Sequence, residues 1–418
     1  MLQLRHVLSV TNGATPESGE KEFWDGDIPW ITPPDVSNLS GSLLRDTRRK
    51  ITQAGYESCG TTLAPAGSIV LTKRAPIGEL AILALEACAN QGCFLLSPRR
   101  ETDTRFYYHW LLTQVSLLQA LGCGSTFMEL SGDVLKSLKL PLLPLVEQRA
   151  IADYLDRETT RLDALVAAKE RWLELLAEKR RALITRAVTR GLNPSAPLRD
   201  SGIAWLGQIP KHWRVNRLRW FITRLEQGWS PQAEDREPDD NDWAVLKLNA
   251  VNEGAFDDTK IKALPIGIER PESLEVHAGD FLVTRANTPK FVGDVCYVEQ
   301  TRPRLILSDL IYRLKLDELA LDGRFLNQFL LTPIGRSQIE LDARGSSASM
   351  VKISQEHIKN WILPVPPLAE QRAIVAHIAA ETAKIDALSQ ATQRTIDLLK
   401  ERRAALIAAA VTGKLKIN

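Results

Sequence analysis

The chain has 418 residues, with 53 Lys and Arg against 51 Asp and Glu and 44% hydrophobic residues, a balance that excludes a disordered or polybasic chain and leaves room for two or three packed domains. Five cysteines without Cys-x-x-Cys spacing and six scattered histidines exclude a zinc cluster and a disulfide framework, so reduced thiols in a cytosolic protein are expected. A net charge of +2 leaves a nucleic-acid partner open, because binding needs a basic surface and not a basic total.

Residues 1–140 alternate short apolar runs with turns. Arg5 and His6 interrupt any signal-like run at the start, and no stretch approaches the twenty apolar residues of a membrane span, so no membrane role is expected. Strands are predicted at 28–31, 68–72 and 80–85, a helix over 105–121, and a Gly-Cys-Gly-Ser-Thr loop at 122–126, together a mixed α/β globule.

At Pro141 the pattern changes. Proline-rich residues 140–144 stop one element and start a helix. Apolar residues then fall three and four apart at Ala152, Leu155, Leu162, Val166, Leu173, Leu176, Leu183 and Ala187, with no Gly or Pro between. Such a seam buries one stripe against a partner helix, and about 45 residues make a rod of roughly 65 Å. Gly191-Leu-Asn-Pro-Ser-Ala-Pro197 ends it as a linker.

Residues 198–363 repeat the first globule's plan. Gly67-Ser-Ile-Val-Leu-Thr-Lys73 returns as Gly279-Asp-Phe-Leu-Val-Thr-Arg285, and Arg105-Phe106 with Leu111-Leu-Thr113 returns as Arg324-Phe325 with Leu330-Leu-Thr332. Residues 364–418 repeat the rod at one constant offset. Leu145-Val-Glu-Gln-Arg-Ala-Ile151 becomes Leu368-Ala-Glu-Gln-Arg-Ala-Ile374, Asp163-Ala-Leu165 becomes Asp386-Ala-Leu388, and Ala187-Val-Thr189 becomes Ala410-Val-Thr412.

The expected fold is therefore α+β (mixed α/β): globules at 1–140 and 198–363, helical spacers at 141–197 and 364–418, and the two helices paired as an antiparallel coiled coil with pseudo-two-fold symmetry. Polar seam residues recur at Thr159 and Thr382, Lys169 and Thr392, Arg180 and Arg403. They are either solvated seam-edge positions or devices that fix register. Matching rods hold geometry, while unlike globules on one framework imply two ligands or two parts of one asymmetric ligand.

No phosphate loop, nucleophile elbow or dinucleotide fingerprint occurs. Thr32-Pro-Pro-Asp35 has the two prolines of an amino-methyltransferase motif without its aromatic residue, which leaves a plain turn as the simpler reading. Asp239, in an acidic run at 234–242, has with Asp258 and Lys260 the loose spacing of a Mg-dependent endonuclease, but a solvated charge run is much the simpler reading.

Basic residues give the stronger signal. Arg214, Arg217 and Arg219 surround Trp213 and suit phosphate contact with the indole packed beneath. Lys73 and Arg74, with Arg285 and Lys290, follow corresponding strands and suit phosphate or guanine. Each also fits a snorkelling or turn position.

The two proline-Glu-Gln-Arg helix openings, 138–151 and 362–374, together with Asp200-Ser-Gly-Ile-Ala-Trp-Leu-Gly-Gln-Ile-Pro-Lys-His-Trp213, resemble the specificity subunits of type I restriction-modification systems over nearly the whole chain. The resemblance implies two target recognition domains that read a bipartite, asymmetric double-stranded DNA site, held apart by two antiparallel helices. It implies docking of two methyltransferase subunits and of restriction/translocase subunits, for which Glu147, Gln148, Arg149, Glu370, Gln371 and Arg372 are the candidates. It also implies that S-adenosylmethionine, ATP and Mg belong to those partners, that the chain itself is non-catalytic, and that it works in a bacterial or archaeal cytoplasm in phage defence. The 200–213 lead has no counterpart before Met1, so an upstream start or a first domain without this flank is expected. A single-chain endonuclease and a coiled-coil adaptor for two proteins are the alternatives.

Overall fold

The structure is a computed structural model that describes the chain apart from residues 40, 75, 124–127, 235, 240, 348–349 and 418 and the side chains of 344–347. It divides into two compact units, Met1–Arg171 with Thr392–Asn418, and Trp172–Ala391. Each unit thus combines one globule with half of each long helix.

In unit 1 the strands Leu8–Asn12, Cys93–Pro98, Ile69–Thr72 and Leu80–Leu83 lie side by side in that order, all antiparallel, and Leu43–Leu44 adds a parallel edge. Unit 2 repeats the order with Ile222–Gln227, Ile311–Leu316, Phe281–Thr284 and Val295–Tyr297. The inner strands Ile69–Thr72, Leu80–Leu83 and Phe281–Thr284 read as nearly unbroken apolar runs because both faces are covered. Ile69 and Leu71 face the cluster containing Phe106, Leu155 and Ala410, while Val70 faces Ile31, Val36 and Leu95. Phe281 and Val283 likewise face Phe325 and Ile374, and Leu282 faces Val251 and Val298.

The expected helix over 105–121 is two helices, Thr104–Leu112 and Val115–Ala120. The Thr113 hydroxyl donates to Trp110 O at 2.7 Å, satisfying a carbonyl of the last turn and letting the chain bend. The loop expected at 122–126 lies largely outside the described residues.

The long helices run Leu145–Arg190 and Leu368–Val411 and pack together. Covered positions follow alternating steps of three and four, from Ala152, Leu155, Thr159 and Leu162 through Arg180, Leu183 and Ala187 in the first, and from Val375, Ile378, Thr382 and Ile385 through Arg403, Leu406 and Ala410 in the second. In unit 1 Asp163 Oδ1 meets Arg403 Nε at 2.8 Å, and Glu170 meets Lys400 at 3.3 Å. Later residues of one helix thus meet earlier residues of the other, as antiparallel pairing requires. In unit 2 the repeat counterparts Arg180 and Asp386 form the same ion pair. Four of the six polar seam residues have internal partners: Thr159 and Thr382 return their hydroxyls to Leu155 O at 2.7 Å and Ile378 O at 2.8 Å, and Arg180 and Arg403 make reciprocal pairs that a slipped register would break.

Each helix is fastened to its globule by a buried glutamine. Gln148 is 3% exposed. Its Oε1 accepts from Asp103 N at 3.0 Å and Thr102 Oγ1 at 2.7 Å, and its Nε2 donates to Leu143 O at 2.8 Å. Gln371, fully buried, accepts from Asp322 N at 2.8 Å and donates to Ala320 O at 3.0 Å and Pro366 O at 2.9 Å. Asp103 and Asp322 in turn cap the helices Thr104–Leu112 and Gly323–Leu330.

Unit 1 adds a charged junction that unit 2 lacks. His109 Nε2 lies 2.8 Å from Asp156 Oδ1, and Arg105 Nη1 lies 3.1 Å from Asp156 Oδ2; Gln328 and Ala379 stand at the places of His109 and Asp156. Burial pushes the Asp156 carboxyl up, but the His109 hydrogen bond and the Arg105 charge outweigh it and hold the group below the ordinary value of 3.8.

Two outcomes follow. Gln371→Leu strands a buried amide and two carbonyls and is expected to destabilise unit 2 by about 1–3 kcal/mol, read as a lowered urea midpoint, whereas exposed Arg149→Ala changes the stability of its own unit 1 by less than about 0.5 kcal/mol. The Asp156 contribution, from a lowered folded pKa, is present above the ordinary carboxylate value and lost as the pH falls through the folded pKa. Urea titrations should therefore separate Asp156→Asn from the parent at about pH 7 and bring them progressively together as the pH falls below the ordinary carboxylate value of 3.8.

Candidate nucleic-acid interface

A buried threonine ends the corresponding strand in each unit and clamps the loop that follows. The Thr72 hydroxyl donates to Pro76 O at 2.7 Å and accepts from Glu79 N at 2.9 Å. The Thr284 hydroxyl donates to Phe291 O at 2.9 Å and accepts from Asp294 N at 2.9 Å. Backbone bonds from Gly78 N to Thr72 O and from Gly293 N to Thr284 O, each 3.0 Å, close the loops. At Gly293 φ is +64°, and a Cβ would lie 2.4 Å from the Ile339 side chain, so only glycine fits there. One anchor therefore holds two loops, 73–79 and 285–294, of different length.

The basic candidates on these loops differ in freedom. Lys73 Nζ is 2.8 Å from Glu129 Oε1 and lies over the Phe94 ring, with its side chain only 13% exposed. Arg74 Nη1 is 4.0 Å from Glu129 Oε2. A phosphate on this loop must displace Glu129. Arg285 is half-buried and donates to Asp309 O at 3.5 Å, while Lys290 is exposed at the tip, 3.9 Å from Glu253.

Arg214, Arg217 and Arg219 lie elsewhere. The strand Arg214–Arg217 pairs with Ile362–Val365, directly before the second long helix. Arg219 donates to Glu356 Oε1 at 2.8 Å, and both Arg217 and Arg219 reach Asn360 Oδ1. They precede Ile222, which pairs with Leu316, whereas Arg285 follows Thr284, which pairs with Ile311. The two basic groups thus sit at opposite ends of the sheet, roughly 17 Å apart along a six-residue strand. Trp213 is a core residue, 1% exposed, packed with Trp361 and Ile374.

A second feature recurs in both units. Trp24–Ile31 lies between antiparallel Arg49–Ile51 and parallel Cys88–Ala89, and Ala244–Leu246 lies between antiparallel Ile261–Ala263 and parallel Leu305–Ile306. In unit 1 this small sheet carries exposed Arg45, Arg48 and Arg49, with the Arg49 guanidinium 3.6 Å from the Trp24 ring centroid. The sequence reading missed these residues, although Arg45-Asp-Thr-Arg-Arg-Lys50 is a dense basic run.

Other candidates have structural roles. Asp258 Oδ2 accepts from Arg302 N at 3.0 Å, and Lys260 pairs with Asp257 at 3.8 Å. Among the described residues no group of three or more His, Cys, Asp or Glu is placed to hold a metal ion. Asp35 accepts from Thr32 N at 2.8 Å and Thr32 Oγ1 at 2.5 Å, a capping turn. Gln148 and Gln371 are buried inside their own units, so of the six docking candidates Glu147, Arg149 and Arg372 are exposed, and Glu370 bonds His212 Nε2 at 2.8 Å. No helix among the described residues is long and apolar enough to cross a membrane.

Residues 1–174 match the family described as the type I restriction modification DNA specificity domain. The chain is 31% identical over 239 residues to the type I restriction enzyme MjaIX specificity subunit of Methanocaldococcus jannaschii, covering 56% of this chain and 53% of that protein. It is 29% identical over 208 residues to the EcoEI specificity subunit of Escherichia coli, covering 49% and 34%. The matched stretches thus span about half and about a third of these relatives' lengths. The fold matches over 99% of this chain that of a structure described as the "structural basis underlying complex assembly and conformational transition of the type I R-M system", with 97% of that chain covered, TM-score 0.73 and 16% identity. It also matches the HsdS subunit from Thermoanaerobacter tengcongensis over 99% of this chain and 96% of that one, with TM-score 0.56 and 17% identity. With two copies of one sheet plan and two proline-Glu-Gln-Arg helices, the chain is similar to type I restriction-modification specificity subunits, and its residues 1–174 match the DNA specificity domain of that family.

Proposed function

We propose that the chain is the non-catalytic, DNA-reading subunit of a type I restriction-modification complex. Each unit reads one half of a bipartite, asymmetric double-stranded site. The observation that carries this reading is the repeated anchor: the same strand order and the same threonine clamp present loops of different length and charge, as one scaffold adapted to two unlike half-sites requires. Exposed Lys290 at the tip of its loop supplies a phosphate contact, and the Arg49 guanidinium, stacked on Trp24, presents a preorganised fork for a phosphate or a guanine edge.

The chemistry belongs to partners. Two methyltransferase subunits and restriction/translocase subunits would bring S-adenosylmethionine, ATP and Mg, and the complex would act in the cytoplasm. The exposed ends of the helix openings, Glu147, Arg149 and Arg372, remain the docking candidates.

If Lys290 and Arg285 contact phosphates, neutralising either should weaken binding to all sequences alike and lower the salt slope by about one counterion. A residue that reads guanine should instead lose discrimination at one base position, by about 1–3 kcal/mol. Glu129→Gln frees Lys73 and Arg74 and should raise non-specific affinity and steepen the salt dependence. Fluorescence anisotropy against duplex DNA over a range of salt measures all of these. Unchanged slopes and affinities for every variant would remove the clamped loops from the interface.

A further inference from the structure

The segment that packs on the base of each clamped loop carries opposite charges at one equivalent position. Leu130 N donates to Lys73 O at 2.8 Å, and Ile353 N donates to Arg285 O at 2.9 Å. Ser131 and Ser354 come next and cap the helices Gly132–Ser137 and Gln355–Asn360. Both segments run into the long helices at the constant offset of the repeat, so Glu129 and Lys352 are counterparts. Each also stands at the foot of a hairpin: Cys123 bridges Glu129, and Arg344 pairs with Lys352.

In unit 1 the acid is paired where it stands, with Glu129 Oε1 2.8 Å from Lys73 Nζ and Oε2 4.0 Å from Arg74 Nη1. In unit 2 the buried Ala286 takes the place of Arg74 and pairs across the strands with Lys352. Lys352 is exposed, and among the described residues no ion pair holds its ammonium. Val351 packs against the core, while Met350, 47% exposed, and Lys352 leave the ribbon on the other face, as strand alternation requires. Phosphates are alike along both half-sites, so a phosphate contact asks for a cation in either unit. A reversal of sign on one conserved backbone position serves instead to tell bases apart, whose groove edges differ in donors and acceptors.

We propose that Glu129 and Lys352 are equivalent base-reading residues of the two units, acting in the major groove. The Lys352 ammonium donates to O6 and N7 of a guanine in one half-site. The Glu129 carboxylate accepts from N4 of a cytosine in the other, once phosphates take Lys73 and Arg74 from it. Neighbouring strands lie about 4.8 Å apart, so the hairpin that carries Lys352 fits a major groove about 12 Å wide. This inference rests on the chain reading duplex DNA and assigns which residues make the choice.

Site selection from randomised duplexes, with the full chain in its complex, tests it. Lys352→Glu should lose its guanine preference about tenfold at one position of one half-site and favour cytosine there. Lys352→Arg should keep the guanine, because a guanidinium donates to the same two acceptors. Glu129→Ala should lose a cytosine preference about tenfold at one position of the other half-site. All other positions should match the parent. Both altered side chains are solvent-accessible, and thermal melts of the variants confirm that they fold. Unchanged base preferences, a loss of affinity uniform over all sequences, or loss of guanine in Lys352→Arg would overturn the proposal while leaving the DNA-reading function standing, since the parent still selects a site. A parent complex that selects no site overturns both.

Discussion

A buried side-chain amide at the start of each long helix is the interaction on which the rest of the structure depends. The first turn of a helix leaves backbone groups without partners, and a proline-rich entry removes some of the usual ways to satisfy them. Gln148 and Gln371 use the second turn to bond back to the entry carbonyls, Leu143 O and Pro366 O, and forward to the amides of Asp103 and Asp322. Each therefore joins the sheet's return strand, the capped globule helix and the long helix at one point. A buried amide bonded at both ends is costly to disturb, because any shift leaves a polar group unpaired in the core.

That fixed junction allows the surrounding chemistry to change. Between the central strands, Ser68 Oγ and Ser97 Oγ lie 2.9 Å apart in unit 1, and the corresponding places in unit 2 hold the ion pair of Asp280 and Lys315. Beside it Arg313, 2% exposed, donates to Ser273 O and Glu275 O at 2.6 Å and to Glu226 Oε2 at 2.9 Å. Hydroxyls and paired charges both satisfy the interior, so the backbone plan survives while side chains diverge. The helices changed least: Asp163 with Arg403 and Arg180 with Asp386 keep the same pair in both units.

The sequence showed most of what is periodic and local. Long runs without Gly or Pro, bounded by Pro144 and Gly191, marked the helices, and the exact return of Glu-Gln-Arg marked the duplication. The strands 69–72 and 281–284 were legible because burial on both faces makes them continuously apolar. Non-local pairing was not legible. Nothing near Arg217 or Arg285 in sequence says that they sit at opposite ends of one sheet, since that depends on the order in which distant strands pair. The buried role of Gln148 was hidden because glutamine is ordinarily a surface residue. The break after Leu112 was hidden because residues 113 and 114 carry no Gly or Pro.

The proposed function requires that two units of one plan read two different half-sites independently. Site selection from randomised duplexes, with the chain in its complex, tests it when residues 285–294 are replaced by a loop of equal length and altered charge while Thr284 and Gly293 are kept. The account predicts altered base preference in one half of the selected site and an unchanged other half. A change in both halves, or in neither, would contradict it.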